Sequence, residues 1–190
     1  MDKVKYILAS RSPRRKELLS KIVEDFEIIT RETDETLPEG THPKDGVEML
    51  SVRKGKAVAN ELPSDFLVIS SDTLVELDGV ALGKPTSEED AVTMLLSLSG
   101  KTHNVHTGVA VHYKGEVFSG TDTSHVTFRN FDEAEARDYV STGEPMDKAG
   151  SYAIQGIGAK LVEKYEGEFD TIVGLSLSLT KKLIDAAVKK

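Results

Sequence analysis

The chain has 190 residues, no cysteine and a net charge of −8, from 24 Lys+Arg against 32 Asp+Glu. That composition excludes disulfides, thiolate metal sites and a catalytic thiol, and it argues against broad nucleic-acid binding, which needs a basic face. A small polyanion held in a locally basic pocket stays compatible, because net charge does not describe a pocket.

Charged residues are 29% and hydrophobic ones 38%, an ordinary globular mixture. The length suits one domain spanning residues 1–190, with a core of useful size. No apolar stretch reaches bilayer length, and Met1-Asp2-Lys3-Val4-Lys5 leads into a run too short for a signal peptide. A cytoplasmic protein without membrane association is expected.

The first elements are a short buried strand over Lys5–Ala9 and a helix over about Pro13–Ile22, with Ser12 as N-cap and Pro13 in the first helical position. Arg14 and Arg15 then fall in the first turn, where the helix dipole disfavours a cation by about 0.3–1 kcal/mol. Such a local conflict marks a functional site more often than chance placement would. Arginines beside the N–H groups of a helix start are suited to phosphate; taken alone, they are equally well read as solvated surface residues.

A second strand is expected at Phe26–Thr30, then a polar loop over Arg31–Pro43, and a helix over about Lys44–Leu62 that carries the basic patch Arg53, Lys54 and Lys56. Phe66-Leu67-Val68-Ile69 reads as a central strand buried on both faces. Ser71-Asp72-Thr73 then falls at its carboxyl end, where open α/β sheets bind ligands. A carboxylate there can hold a divalent cation or take a proton from water. Asp34-Glu35, in the polar loop, is an acidic pair suited to a hard cation.

Asp78-Gly79 marks a hairpin between Leu74–Leu77 and Val80–Leu82. Gly83-Lys84-Pro85 follows and holds Lys84 between two conformationally special residues. Ser87 opens a helix that Gly100 ends. Strands over about Thr102–His112 and Glu116–Phe128 flank Lys114-Gly115. Asp132 caps a short helix through Val140. A glycine-rich stretch containing Gln155-Gly156-Ile157-Gly158 leads to a strand near Lys160–Lys164, and a last helix covers about Leu177–Val188.

The sum is an α/β protein: a mixed twisted sheet with flanking helices, expected as two lobes around a cleft. Gln155, between tight turns, can donate and accept together and so read a base edge. There is no P-loop, no dinucleotide fingerprint and no zinc-helix motif. His103 and His106 fall on opposite sides of a strand and read as structural or exposed. Ser141 and Ser151 lack the context of a nucleophile elbow.

Taken together, the motifs resemble the Maf family of nucleoside triphosphate pyrophosphatases, over essentially the whole chain. They are Ala9–Arg15, Ser71–Thr73, Gly83–Pro85, Leu98–His103, Glu144–Gly150, Ile154–Gly158 and Val173–Leu175. The resemblance implies the fold of inosine triphosphate pyrophosphatases. It also implies hydrolysis of a nucleoside triphosphate to the monophosphate and pyrophosphate with a divalent cation, Mg²⁺ or Mn²⁺, removing non-canonical or excess nucleotides.

Carried over residue by residue, it makes Asp72 the proton acceptor and Asp72 and Glu35 the metal ligands. Ser10, Ser12, Arg15, Lys56 and Lys84 become phosphate-binding, and Arg14, Thr73 and Gln155 discriminate substrates. Pro13-Arg14-Arg15, Asp72-Thr73 and Gln155-Gly156 resemble the subgroup preferring dTTP and UTP. A homodimer is a further implication, and so is the alternative of a nucleotide-binding regulatory protein linked to septum formation. Two positions depart from the family pattern: Ala153 replaces a common glycine, and Ser176 a common proline. A small-molecule phosphatase of the aspartyl-phosphate class is disfavoured, because its D-x-D motif is missing around Asp72.

Overall fold

The computed structural model describes residues 4–189; Met1–Lys3, the start of the N-terminal stretch discussed above, and Lys190 lie outside the described residues. Strand β1 (Lys5–Leu8) pairs in parallel with β2 (Phe26–Ile28) on one side and β3 (Phe66–Leu77) on the other, with Ile7 opposite Val68. Leu67, Val68 and Ile69 are fully buried, as an apolar run covered on both faces requires. The seven-stranded sheet has the order β2-β1-β3-β5-β6-β7, with β4 (Val80–Leu82) antiparallel to the distal part of β3. Strands β5 (Thr102–Tyr113) and β6 (Glu116–Phe128) are long, and β7 (Val162–Glu166) closes the order antiparallel to β6. The sheet is therefore mixed, as expected. Among the described residues no helix is long and apolar enough to cross a membrane.

The chain divides into two compact units. The first holds the residues up to Asp72, Thr107–Asp122 and those from Gly174 on. It contains α1 (Pro13–Leu19), α2 (Pro43–Ala59) and α6 (Leu177–Val188). One of its cores gathers Ile7, Ala9, Val58 and Val68. Helix α2 lies close to the strands because two glycines leave room. A Cβ on Gly108 would stand 2.3 Å from the Val47 carbonyl oxygen, and one on Gly55 would meet the His112 ring at 2.5 Å. At this close approach the buried Ser70 hydroxyl donates to the Ser51 carbonyl at 2.7 Å.

The second unit comprises Thr73–His106 and Thr123–Val173. Helices α3 (Glu88–Leu98) and α4 (Glu133–Ser141) bury Ala91, Leu95, Leu98, Ala136 and Tyr139. Beside them His103, Phe128 and Tyr152 pack edge to face, with ring centroids 4.7–5.3 Å apart. A short helix, α5 (Phe169–Val173), ends the unit.

His103 and His106 are both buried and structural. His103 Nε2 bonds the Tyr152 hydroxyl at 2.7 Å. His106 joins Glu76 at 2.5 Å and Thr123 at 2.8 Å.

Several elements end earlier or start later than the sequence pattern predicts. Helix α1 stops at Leu19 rather than Ile22, β2 at Ile28 rather than Thr30, and α2 at Ala59 rather than Leu62. The last strand starts at Val162 rather than Lys160. The larger difference is β3. Asp72 does not end this strand; it lies near its middle, because the strand runs on to Leu77. The parallel neighbour β1 is what ends, its last pairing being Leu8 with Ile69. Ligand-binding logic at the end of parallel strands therefore still applies to Asp72, through the end of β1 rather than of β3.

Two predictions follow from the packing. Gly108→Ala puts a methyl against backbone and is expected to destabilise by about 1–3 kcal/mol, seen as a lowered urea midpoint. Burial pushes the His103 imidazole down from 6.5 to about 4. The unfolded chain then holds more protons than the folded one between those values. This contribution to stability is complete above pH 6.5 and is lost as pH falls toward 4, by up to about 3 kcal/mol. Titration of the His103 ring by NMR should show a midpoint near 4, and a midpoint near 6.5 would refute the assignment.

Candidate active site

In the first unit, Asp72 is only 8% exposed, and its charge is met by Lys54 from α2. Lys54 Nζ lies 2.5 Å from Asp72 Oδ1 and 2.8 Å from Glu35 Oε1. Glu35 reaches this point from the loop before α2, and the loop is pinned by Arg53. The Arg53 guanidinium donates to the backbone carbonyl of Asp34 and, at 2.9 Å, to that of Thr36. Asp34 itself turns away: its carboxylate accepts the Thr36 N–H at 2.8 Å, and the Thr36 side chain first, then that backbone amide, hold its pKa below the usual range. Of the acidic pair, only Glu35 therefore joins Asp72.

Arg15 belongs to the same cluster. Burial is the largest influence on its guanidinium and pulls its pKa below the ordinary value. The negative charges of Asp72 and Glu35 oppose that pull, and Arg14 adds to it. The group stays charged at any working pH. Arg15 Nε donates 2.7 Å to the carbonyl of Gly174, and an Nη donates 3.5 Å to the buried Ser10 hydroxyl. The Ser71 hydroxyl donates to the same Gly174 carbonyl at 3.0 Å. One backbone carbonyl thus ties the start of α1 to the strand position beside Asp72. Gly174 has φ +130, a conformation that side chains with a Cβ rarely adopt.

Ser12 is the N-cap of α1, accepting from Arg15 N at 3.4 Å, and its own N–H donates to Ser10 Oγ at 3.2 Å. These serine hydroxyls occupy two of the amides at the helix start. What the start of α1 presents is therefore chiefly the side chains of Arg14 and Arg15. Lys56 lies exposed on α2, and the lysine that meets the acids is Lys54.

The remaining expected site residues lie in the second unit. Thr73 is half-buried, one residue after Asp72 on β3. Lys84 is exposed after β4, next to buried Pro85, and its loop is held by Gly150 N–H donating to the Gly83 carbonyl at 3.1 Å. Gln155 is exposed in a turn closed by Gly156 N–H on the Ala153 carbonyl at 3.3 Å. The departures from the family pattern have structural readings: Ser176 is the N-cap of α6, accepting from Leu179 N at 3.3 Å, while Ala153 gives its N–H to the Tyr139 hydroxyl at 3.1 Å.

Sequence reasoning missed three contributors. The basic patch of Arg53, Lys54 and Lys56 does not by itself single out Lys54, yet Val47, Leu50, Ser51 and Val58 are among the buried residues of α2 and Lys54 falls on their stripe. Gly174 carries no side chain to signal its role. Glu144, inside the Glu144–Gly150 motif, has no role legible in the sequence, yet its carboxylate accepts the amides of Ile157 and Gly158 at 3.0 and 2.9 Å.

Comparison with known proteins gives a consistent picture. A family model described as Maf-like protein matches residues 5–187. A dTTP/UTP pyrophosphatase of Bacillus thuringiensis subsp. konkukian is 46% identical over 174 residues, covering 92% of this chain and 91% of that protein. Another of the same name from Bacillus velezensis is 45% identical over 180 residues, 94% of each. Among solved structures, the Staphylococcus aureus Ham1 protein matches with a TM-score of 0.52 at 16% identity, over 97% of this chain and 94% of its own, a likeness of fold. With nearly all its described elements inside the matched span, the chain belongs to the Maf family.

Proposed function

We propose that the protein hydrolyses nucleoside triphosphates, dTTP and UTP before others, to the monophosphate and pyrophosphate. The observation that carries this reading is the convergence of Asp72 and Glu35 on one cationic point, with Arg15 alongside. The names of the relatives, each a dTTP/UTP pyrophosphatase, support the substrate class.

The donor set suits a divalent cation. Asp72 and Glu35 offer hard carboxylate oxygens at one place, and Mg²⁺-type ions take one or two carboxylates and complete their shell with water and phosphate. Among the described residues there is no group of three or more His, Cys, Asp or Glu side chains arranged for a metal, so the other ligands would come from substrate and solvent. A cation bound there supplies Lewis-acid charge to the phosphate oxygens. On this reading Lys54, no longer needed between the acids, is placed to offer its ammonium to the phosphates.

The chain's own residues do the rest. Arg15 binds the phosphates by charge-assisted hydrogen bonds, and Lys84 adds a further ammonium. Asp72 takes the proton from a water whose oxygen bonds to the α-phosphorus. The bond from that phosphorus to the α–β bridging oxygen breaks, and its electron pair leaves with pyrophosphate. Fixed cations aimed at oxygens that gain charge lower the barrier more than they strengthen ground-state binding. Arg14, Thr73 and Gln155 discriminate among bases, with the Gln155 amide matching the adjacent donor and acceptor of thymine and uracil.

Pyrophosphate release measured over a nucleotide panel, with and without divalent metal, should be greatest for dTTP and UTP with metal present. Asp72→Asn should lose about 10²–10⁴-fold in kcat while retaining nucleotide binding. Unchanged turnover in that variant contradicts the role, and tight binding without turnover in the parent points to a regulatory protein. Glu35→Gln should raise the metal concentration needed for half-maximal activity by about tenfold or more. An unchanged metal titration would remove Glu35 from the metal site.

A further inference from the structure

The turn that carries Gln155 is held from one place. Glu144 follows α4 and is half-buried. Its Oε1 accepts from Ile157 N at 3.0 Å; its Oε2 accepts from Gly158 N at 2.9 Å and from the Tyr139 hydroxyl at 2.5 Å. The same Tyr139 hydroxyl accepts from Ala153 N at 3.1 Å. Gln155 is thus bracketed: Ala153 is tied on one side, Ile157 and Gly158 on the other, and all three ties end on the Glu144–Tyr139 pair. The fit is close. A Cβ on Gly156 would stand 1.8 Å from Glu144 Oε1, and one on Gly158 would stand 2.5 Å from the Tyr139 oxygen. Tyr139 is fully buried and so provides a fixed base.

Burial pushes the Glu144 carboxyl up, but the Tyr139 hydroxyl, the two amides and Lys148 outweigh it and hold the group below its usual value. An ionised carboxylate is acceptor-only, so it alone can face two N–H groups and one O–H at once.

We propose that Glu144 is a specificity-positioning residue: by accepting the amides of Ile157 and Gly158 it fixes the turn that carries Gln155, and thereby base selectivity, without touching the nucleotide. The inference rests on the reading that Gln155 meets the base. It gives the Glu144–Gly150 motif a task separate from phosphate chemistry.

The test compares kcat/KM for dTTP and GTP in the parent, Glu144→Gln, Gln155→Ala and the double variant. Glu144→Gln keeps the size but turns an amide NH₂ toward one of the two N–H groups. It should lower the dTTP/GTP ratio by about tenfold or more, mainly through KM for dTTP, with kcat on GTP unchanged. Adding it to Gln155→Ala should lower the ratio no further, because both act through one side chain.

If Glu144→Gln keeps the parental ratio while Gln155→Ala loses it, the role of Glu144 is overturned. The same holds if Glu144→Gln weakens both nucleotides equally and its loss adds to that of Gln155→Ala. If Gln155→Ala itself keeps the ratio, the base-reading premise fails, which is a distinct outcome. Should Glu144→Gln melt below the assay temperature, Glu144→Asp keeps the charge, withdraws it by one methylene and is read by the same criteria.

Discussion

Two carboxylates share one ammonium: Asp72 and Glu35 both lie against Lys54 Nζ. A carboxylate as buried as Asp72 is costly unless its charge is met and hydrogen-bonded. Glu35, from a polar loop, has no reason of its own to lie beside it. Lys54 answers both demands, and α2 can bring it there only because Gly55 and Gly108 let the helix approach the strands closely. The acidic point suited to a metal ion is therefore a consequence of how a helix packs on a sheet, not of a dedicated metal motif.

The positions around that point are fixed by side chains that bond to backbone. Arg53 holds the loop of Glu35 through two carbonyls. Arg15 and Ser71 converge on the carbonyl of Gly174. In the second unit Glu144 and Tyr139 do the corresponding work for the turn of Gln155. Loops held in this way lose less freedom when a ligand binds, so more of the binding energy is available for selectivity and catalysis.

Much of this was legible in the sequence where the signal is local. The caps Ser12, Ser87 and Asp132 lie where their side chains predict. Asp78-Gly79 and Lys114-Gly115 turn with positive φ at both residues, as tight hairpins require. The length of β3 was not legible, because Ser70-Ser71-Asp72-Thr73 looks like a polar strand end. The hydroxyls of Ser70 and Ser71 are satisfied by the carbonyls of Ser51 and Gly174, and the second of those is about a hundred residues away in sequence, beyond any local pattern. The choice between Lys54 and Lys56 was legible in principle. Two residues apart on a helix, they point to nearly opposite faces, and only Lys54 continues the buried stripe of Val47, Leu50 and Val58. The pattern is weakened because Ser51 and Gly55, also buried, are not apolar markers.

The central claim is that water activated at Asp72 attacks the α-phosphorus. Hydrolysis of dTTP in ¹⁸O-labelled water tests it most directly. The account predicts one labelled oxygen in the nucleoside monophosphate and none in pyrophosphate. Label in pyrophosphate, or release of orthophosphate instead, would contradict it.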